Sequence, residues 1–106
     1  MSRFNLSDLA GLIASRASAR ASNSYTRTLL EKGPSYVARK FGEEAIEAVV
    51  AAVEGDTVNL TNEAADVLYH LLIVLHSRSV SLQDVLDELE ARTARSGLEE
   101  KAARAQ

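Results

Sequence analysis

The chain has 106 residues with no cysteine, no tryptophan and a single proline. Without thiols it can form neither a disulfide frame nor a thiolate metal site, and cysteine nucleophiles are excluded. Long hydrophobic runs are also missing. Runs such as Leu71 to Leu75 are far too short to span a bilayer, and the first twenty residues lack the apolar stretch of a signal peptide. These absences predict a soluble cytoplasmic protein without a membrane partner. Aromatics are few and the net charge is −3, so the chain carries no nucleic-acid footprint. The scarcity of glycine and proline, with no alternating strand pattern, points to helices throughout.

That net charge hides an asymmetry. Residues 1–42 carry seven basic side chains against Asp8 and Glu31, a balance of +5, and the remainder carries five against thirteen acids, a balance of −8. A basic half beside an acidic half suits a polyanionic ligand bridged by cations, although loose charge blocks are also found on solvated faces.

The predicted fold is all-α: a single domain over 1–106, built as a small bundle of four to five helices. Asn5 or Ser7 caps a first helix with Leu6, Leu9, Leu12 and Ile13 on its apolar side, and "ARASNS" ends it. A short helix follows over about 24–30. Gly33 then sits at a C-terminal cap and Pro34 at a first helical position. The third helix is predicted over about 34–53, ending before Gly55-Asp56, and the fourth over about 58–76. Ser81 caps a fifth with an apolar stripe of Leu82, Val85, Leu86 and Leu89. The tail after about 95 is polar and frays.

Two helices carry the chemistry. In "FGEEAIEAVV", Glu44 and Glu47 lie about 60° apart on one helical face. In "NEAADVLYHLLIVL", the polar residues Asn62, Glu63, Asp66 and His70 share a sector of about 100°. Most of the remaining perimeter of both helices is apolar: Val37, Phe41, Ile46, Val49, Val50 and Val53 on the third, Leu60, Val67, Leu68 and Leu71 to Leu75 on the fourth. Such helices are expected to be buried, and their acids partly buried with them. Four facing carboxylates cannot all stay ionised without added positive charge. A hard divalent cation, Mg²⁺ or Mn²⁺, supplies it through oxygen ligands. Zinc is disfavoured, since His70 is the only histidine near the acids. The alternatives are solvated acid pairs, a helix-dipole effect on Glu63 and simple ion pairs with Lys40 and Arg39.

"GEEAIE" followed by "EAAD" resembles the E-E-x-x-E … E-x-x-D signature of the all-α nucleotide pyrophosphohydrolases, the MazG-type superfamily. "SYTRTLLEKGPSYVARKFGEEAIEAVVAA" and "NEAADVLYHLLIVLHSRSVSLQDVLDELEAR" narrow the resemblance to the phosphoribosyl-ATP pyrophosphatase family, from about Leu6 to Arg92. That resemblance implies Mg²⁺-dependent hydrolysis of phosphoribosyl-ATP to phosphoribosyl-AMP and pyrophosphate, in histidine biosynthesis. It implies Glu44, Glu47, Glu63 and Asp66 as metal ligands, Glu43 as the residue that orients or deprotonates water or supports the ligand shell, and Lys40 as a phosphate contact. Lys32 and Arg39 join Lys40 in offsetting phosphate charge. Ser24, Tyr25 and Asn62 are expected to contact ribose or phosphate, and His70 is either a substrate contact or a hydrogen-bonded structural residue. A homodimer is also implied, in keeping with more apolar surface on the fourth helix than short neighbours can cover.

The chain departs from the family pattern at three places. Where the family has a lysine after "SYTA" this chain has Thr28, with Arg27 one place earlier as the candidate phosphate contact; Ser79 replaces a glycine before the last helix, and Tyr36 takes an often charged position. Two rival functions share many of these features: a house-cleaning nucleoside triphosphate pyrophosphohydrolase, and a non-enzymatic helical dimerisation module.

Overall fold

Four of the helices begin where a side chain satisfies a free N–H group of the first turn. In the computed structural model, which describes residues 3–18, 24–94, 97, 101, 102 and 104, five helices are present among the described residues. Asn5, rather than Ser7, starts α1 (Leu6–Ser18): its Oδ1 accepts from the Asp8 N–H at 2.9 Å, and the Asp8 carboxylate accepts from the Asn5 N–H at 3.0 Å. The Ser24 hydroxyl accepts from the Arg27 N–H to cap α2 (Tyr25–Glu31). Gly33, at φ +92°, turns the chain into α3 (Pro34–Glu54), which opens on proline. Asp56 caps α4 (Thr57–Ser77) and Ser81 caps α5 (Leu82–Thr93). Most of the "ARASNS" segment lies outside the described residues, as does part of the polar tail.

Only Gly55 and Asp56 separate α3 from α4, so the two 21-residue helices fold back as an antiparallel hairpin. Gly55 takes the left-handed conformation, φ +75° and ψ 20°, that ends α3. Positions equally distant from this turn face each other, which sets Glu44 and Glu47 level with residues 63–67. The core gathers at the far end of the hairpin. There α1 and α2 lie against it, and Ile13, Leu29, Val37, Leu72 and Ile73 are buried together.

One expectation fails. The apolar perimeter of α3 is not buried: Ile46, Val49, Val50 and Val53 are exposed, Val53 by 82%. The reason is length. Each long helix rises about 32 Å, while α2 spans only about 10 Å and α1 about 20 Å. The short helices cover one end of the hairpin and leave the apolar stripe of α3 open. On α5, likewise, Leu82, Val85 and Leu86 are half-buried, Leu89 is exposed and no residue is fully buried.

Candidate active site

The hairpin brings acids from both long helices together. One carboxylate oxygen from each of Glu44, Glu63 and Asp66 lies within 4.8 Å of the others. Oxygens on opposite sides of an Mg²⁺ ion are about 4 Å apart, so small side-chain adjustments would let the three share one ion. Glu47 lies outside this close triple and is exposed, but its carboxylate adjoins both Glu44 and Glu63. Asp66 and Asn62 are also exposed. The site is therefore half-sealed: the Glu44 side chain is 12% exposed, while its neighbours open to solvent.

Its electrostatics favour binding of a cation. Glu63 Oε2 is sealed from solvent and has no hydrogen-bond partner among the described residues. A buried carboxylate oxygen left this way costs free energy unless a proton or a cation meets it. Burial, followed by the neighbouring Glu47 carboxylate, pushes the Glu44 carboxyl above its usual range. Burial and then a hydrogen bond with Glu47 do the same for Glu63. Lys40 alone cannot balance this group. Its ammonium stands 3.6 Å from Glu43 and 3.9 Å from Glu44, and the Glu43 carboxylate, its largest influence, raises the ammonium's proton affinity. A donor set of carboxylate oxygens, one of them buried without a partner, suits Mg²⁺ or Mn²⁺.

Beside the acids, α2 supplies an aromatic edge. The Tyr25 hydroxyl lies 3.5 Å from His70 Nε2, and His70 Nδ1 donates to the Asp66 carbonyl at 2.7 Å. Because that carbonyl can only accept, the proton sits on Nδ1 and Nε2 of the neutral ring is left to accept from Tyr25. His70 is only 4% exposed and links Tyr25 of α2 to the Asp66 carbonyl of α4. The Tyr25 ring stacks near Tyr69, with centroids 6.2 Å apart, and burial raises its phenol pKa. Tyr69 in turn exchanges a hydrogen bond with buried Thr26. The sequence reading missed Tyr69 and Thr26. Each sits one residue from a named site residue, but their pairing depends on how α2 packs on α4.

The remaining expected residues divide. Ser24 is committed to capping α2, and Arg27 pairs with Glu31 at 3.0 Å. Lys32 and Arg39 both lie over Tyr36, at 4.6 Å and 5.2 Å from the ring centre.

A family model for phosphoribosyl-ATP pyrophosphohydrolase matches residues 6–93. The chain belongs to this family. Among its relatives, the phosphoribosyl-ATP pyrophosphatase of Methylobacterium radiotolerans is 56% identical over 104 residues, covering 98% of this chain and 97% of its own. That of Rhizobium johnstonii is 57% identical with the same coverage of both chains. Phosphoribosyl-ATP pyrophosphatase 1 of Rhodopseudomonas palustris is 54% identical, again covering 98% and 97%. As a phosphoribosyl-ATP pyrophosphohydrolase family member, the chain keeps both acid-bearing helices and the aromatic edge of α2 within the matched residues. No helix of the described residues is long and apolar enough to cross a membrane.

Proposed function

We propose that this protein hydrolyses phosphoribosyl-ATP to phosphoribosyl-AMP and pyrophosphate in the cytoplasm, as the second step of histidine biosynthesis. Glu44, Glu47, Glu63 and Asp66 hold Mg²⁺, with Mn²⁺ an acceptable substitute. The observation that carries this reading is the convergence of Glu44, Glu63 and Asp66, with a buried Glu63 oxygen that has no hydrogen-bond partner among the described residues. The names of the relatives above support the substrate.

A divalent cation at this site supplies positive charge against the phosphate oxygens and the leaving pyrophosphate. Glu43, exposed beside Glu44, orients the attacking water and accepts its proton. The new bond joins that water oxygen to the α-phosphorus, the α–β anhydride bond breaks, and its electron pair leaves with pyrophosphate. Lys40, already beside Glu43 and Glu44, turns to the phosphates and offsets their charge. Tyr25 presents its hydroxyl and ring to the nucleoside, and Asn62 offers an exposed amide at the edge of the acids. A second copy of the chain covers the open face of α3, which makes the working form a homodimer.

Pyrophosphate release from phosphoribosyl-ATP, set against a panel of nucleoside triphosphates, tests the assignment. Release should require Mg²⁺ or Mn²⁺ and favour phosphoribosyl-ATP. Glu47→Gln and Asp66→Asn should abolish turnover while the helical circular dichroism stays intact. Near-normal turnover by Glu47→Gln at saturating Mg²⁺ would refute its role as a ligand.

A further inference from the structure

Two cations stand apart from the site described above. Arg27 is paired with Glu31, and Lys40 with Glu43 and Glu44. Among the described residues, neither Lys32 nor Arg39 has a carboxylate within ion-pair distance. Both instead rest on the Tyr36 ring. The ring is half-buried and packs against the core cluster, so it offers a fixed surface to two exposed side chains. Its negative face offsets part of the repulsion between the two cations. Their charge is otherwise unanswered, and a dianion is the ligand that answers it.

Position ties this pair to the acids. Tyr36, Lys40, Glu44 and Glu47 recur at helical spacing along one face of α3. Tyr36 lies about 12 Å along the helix axis from Glu44. The half-exposed Tyr25 ring stands beside this face, close enough to Lys40, Glu44 and Tyr36 to feel all three. From one end to the other the face therefore offers a cation pair, an aromatic edge with Lys40, and an acid cluster suited to a metal.

Phosphoribosyl-ATP has a matching order: a phosphate monoester, a nucleoside, then a triphosphate. We infer that Lys32 and Arg39, held over Tyr36, bind the phosphate monoester of the phosphoribosyl arm and so select this substrate over simple nucleoside triphosphates. The inference rests on the function proposed above. Lys32 and Arg39 make the contact, and Tyr36 is a positioning residue that keeps both cations at one end of the face. Plain nucleoside triphosphates lack the group that this end recognises.

Combining Lys32→Ala with Arg39→Ala should raise KM for phosphoribosyl-ATP about tenfold, as expected for the loss of two charge-assisted contacts, with kcat changed by less than about twofold. The inhibition constant of phosphoribosyl-AMP should rise in parallel, while that of pyrophosphate should not move. Tyr36→Leu should share the KM defect and Tyr36→Phe, which keeps the ring, should not. Weaker inhibition by pyrophosphate with phosphoribosyl-AMP unaffected would assign the cations to the triphosphate and overturn the inference. So would an unchanged KM in the double variant. Calorimetry of phosphoribosyl-AMP on the native protein measures the subsite without turnover. Failure to bind it overturns the subsite, whereas binding without any pyrophosphate release overturns only the proposed activity.

Discussion

Glu63 carries much of the tension in the acid cluster, because one of its oxygens is sealed away without a hydrogen-bond partner among the described residues. Glu44 shares that tension, and both carboxyls titrate above the ordinary value of 4.5. The folded protein therefore holds protons that the unfolded chain has already released. Its contribution to stability is full below about pH 4.5 and is lost as pH rises through the elevated folded values. Without metal, the melting temperature should fall over that window, and Mg²⁺ should restore it at neutral pH. Glu63→Gln should flatten the pH dependence and weaken the response to Mg²⁺. Thermal melts across pH in chelator and in Mg²⁺ check this, and a metal-free melting temperature that rises over the same window would contradict it. Ser79 offers a second test at this scale. Its φ of +60° explains why a glycine is usual before the last helix, since a side chain in the left-handed region costs about 1 kcal/mol. After allowing for glycine's greater freedom when unfolded, Ser79→Gly should stabilise by about 0.5 kcal/mol, read from urea denaturation.

At the scale of the element, the hairpin is the part on which the site depends, and its turn is the place to probe it. The Asp56 carboxylate accepts the Asn59 N–H at 3.0 Å, so Asp56→Ala should cost about 1 kcal/mol in urea denaturation, by loss of the cap. A cost below about 0.3 kcal/mol would mean that packing, not capping, fixes the turn. The helices themselves were legible because local chemistry sets them. Pro34, Gly55, Asp56 and Ser81 mark their ends, and the long helices extend only a residue or so beyond the predicted spans. The acids were legible for a related reason, since three-residue spacing fixes a shared face before any packing is known. What spacing could not reveal is the rotamer that leaves Glu47 outside the closest triple, or the hydrogen bond that links His70 to Tyr25. The first depends on how α3 sits against α4, the second on how α2 does. The apolar stripe of α3 was equally plain in the sequence, but a stripe says only that something covers it.

At the scale of the whole molecule, that uncovered stripe dominates. Ile46, Val49, Val50 and Val53 form one exposed row along α3, with Val58 beyond the turn also exposed. An apolar row of this length is a poor surface to leave in water, and its own repetition makes it self-complementary about a two-fold axis. On the same helix Glu47 lies about 110° around from the row and Glu44 nearly opposite it, so a second copy on the row backs the helix that carries both acids without covering them. The native protein should sediment at twice the 11.4 kDa chain mass. Val49→Asp, which places a charge in the middle of the row, should shift it to the monomer and lower pyrophosphate release by about tenfold or more, since burying an unpaired carboxylate costs several kcal/mol. Sedimentation equilibrium beside the release assay checks both results. A native protein that stays monomeric at micromolar concentration with full turnover would mean that the row has another use and that the acids work in the open.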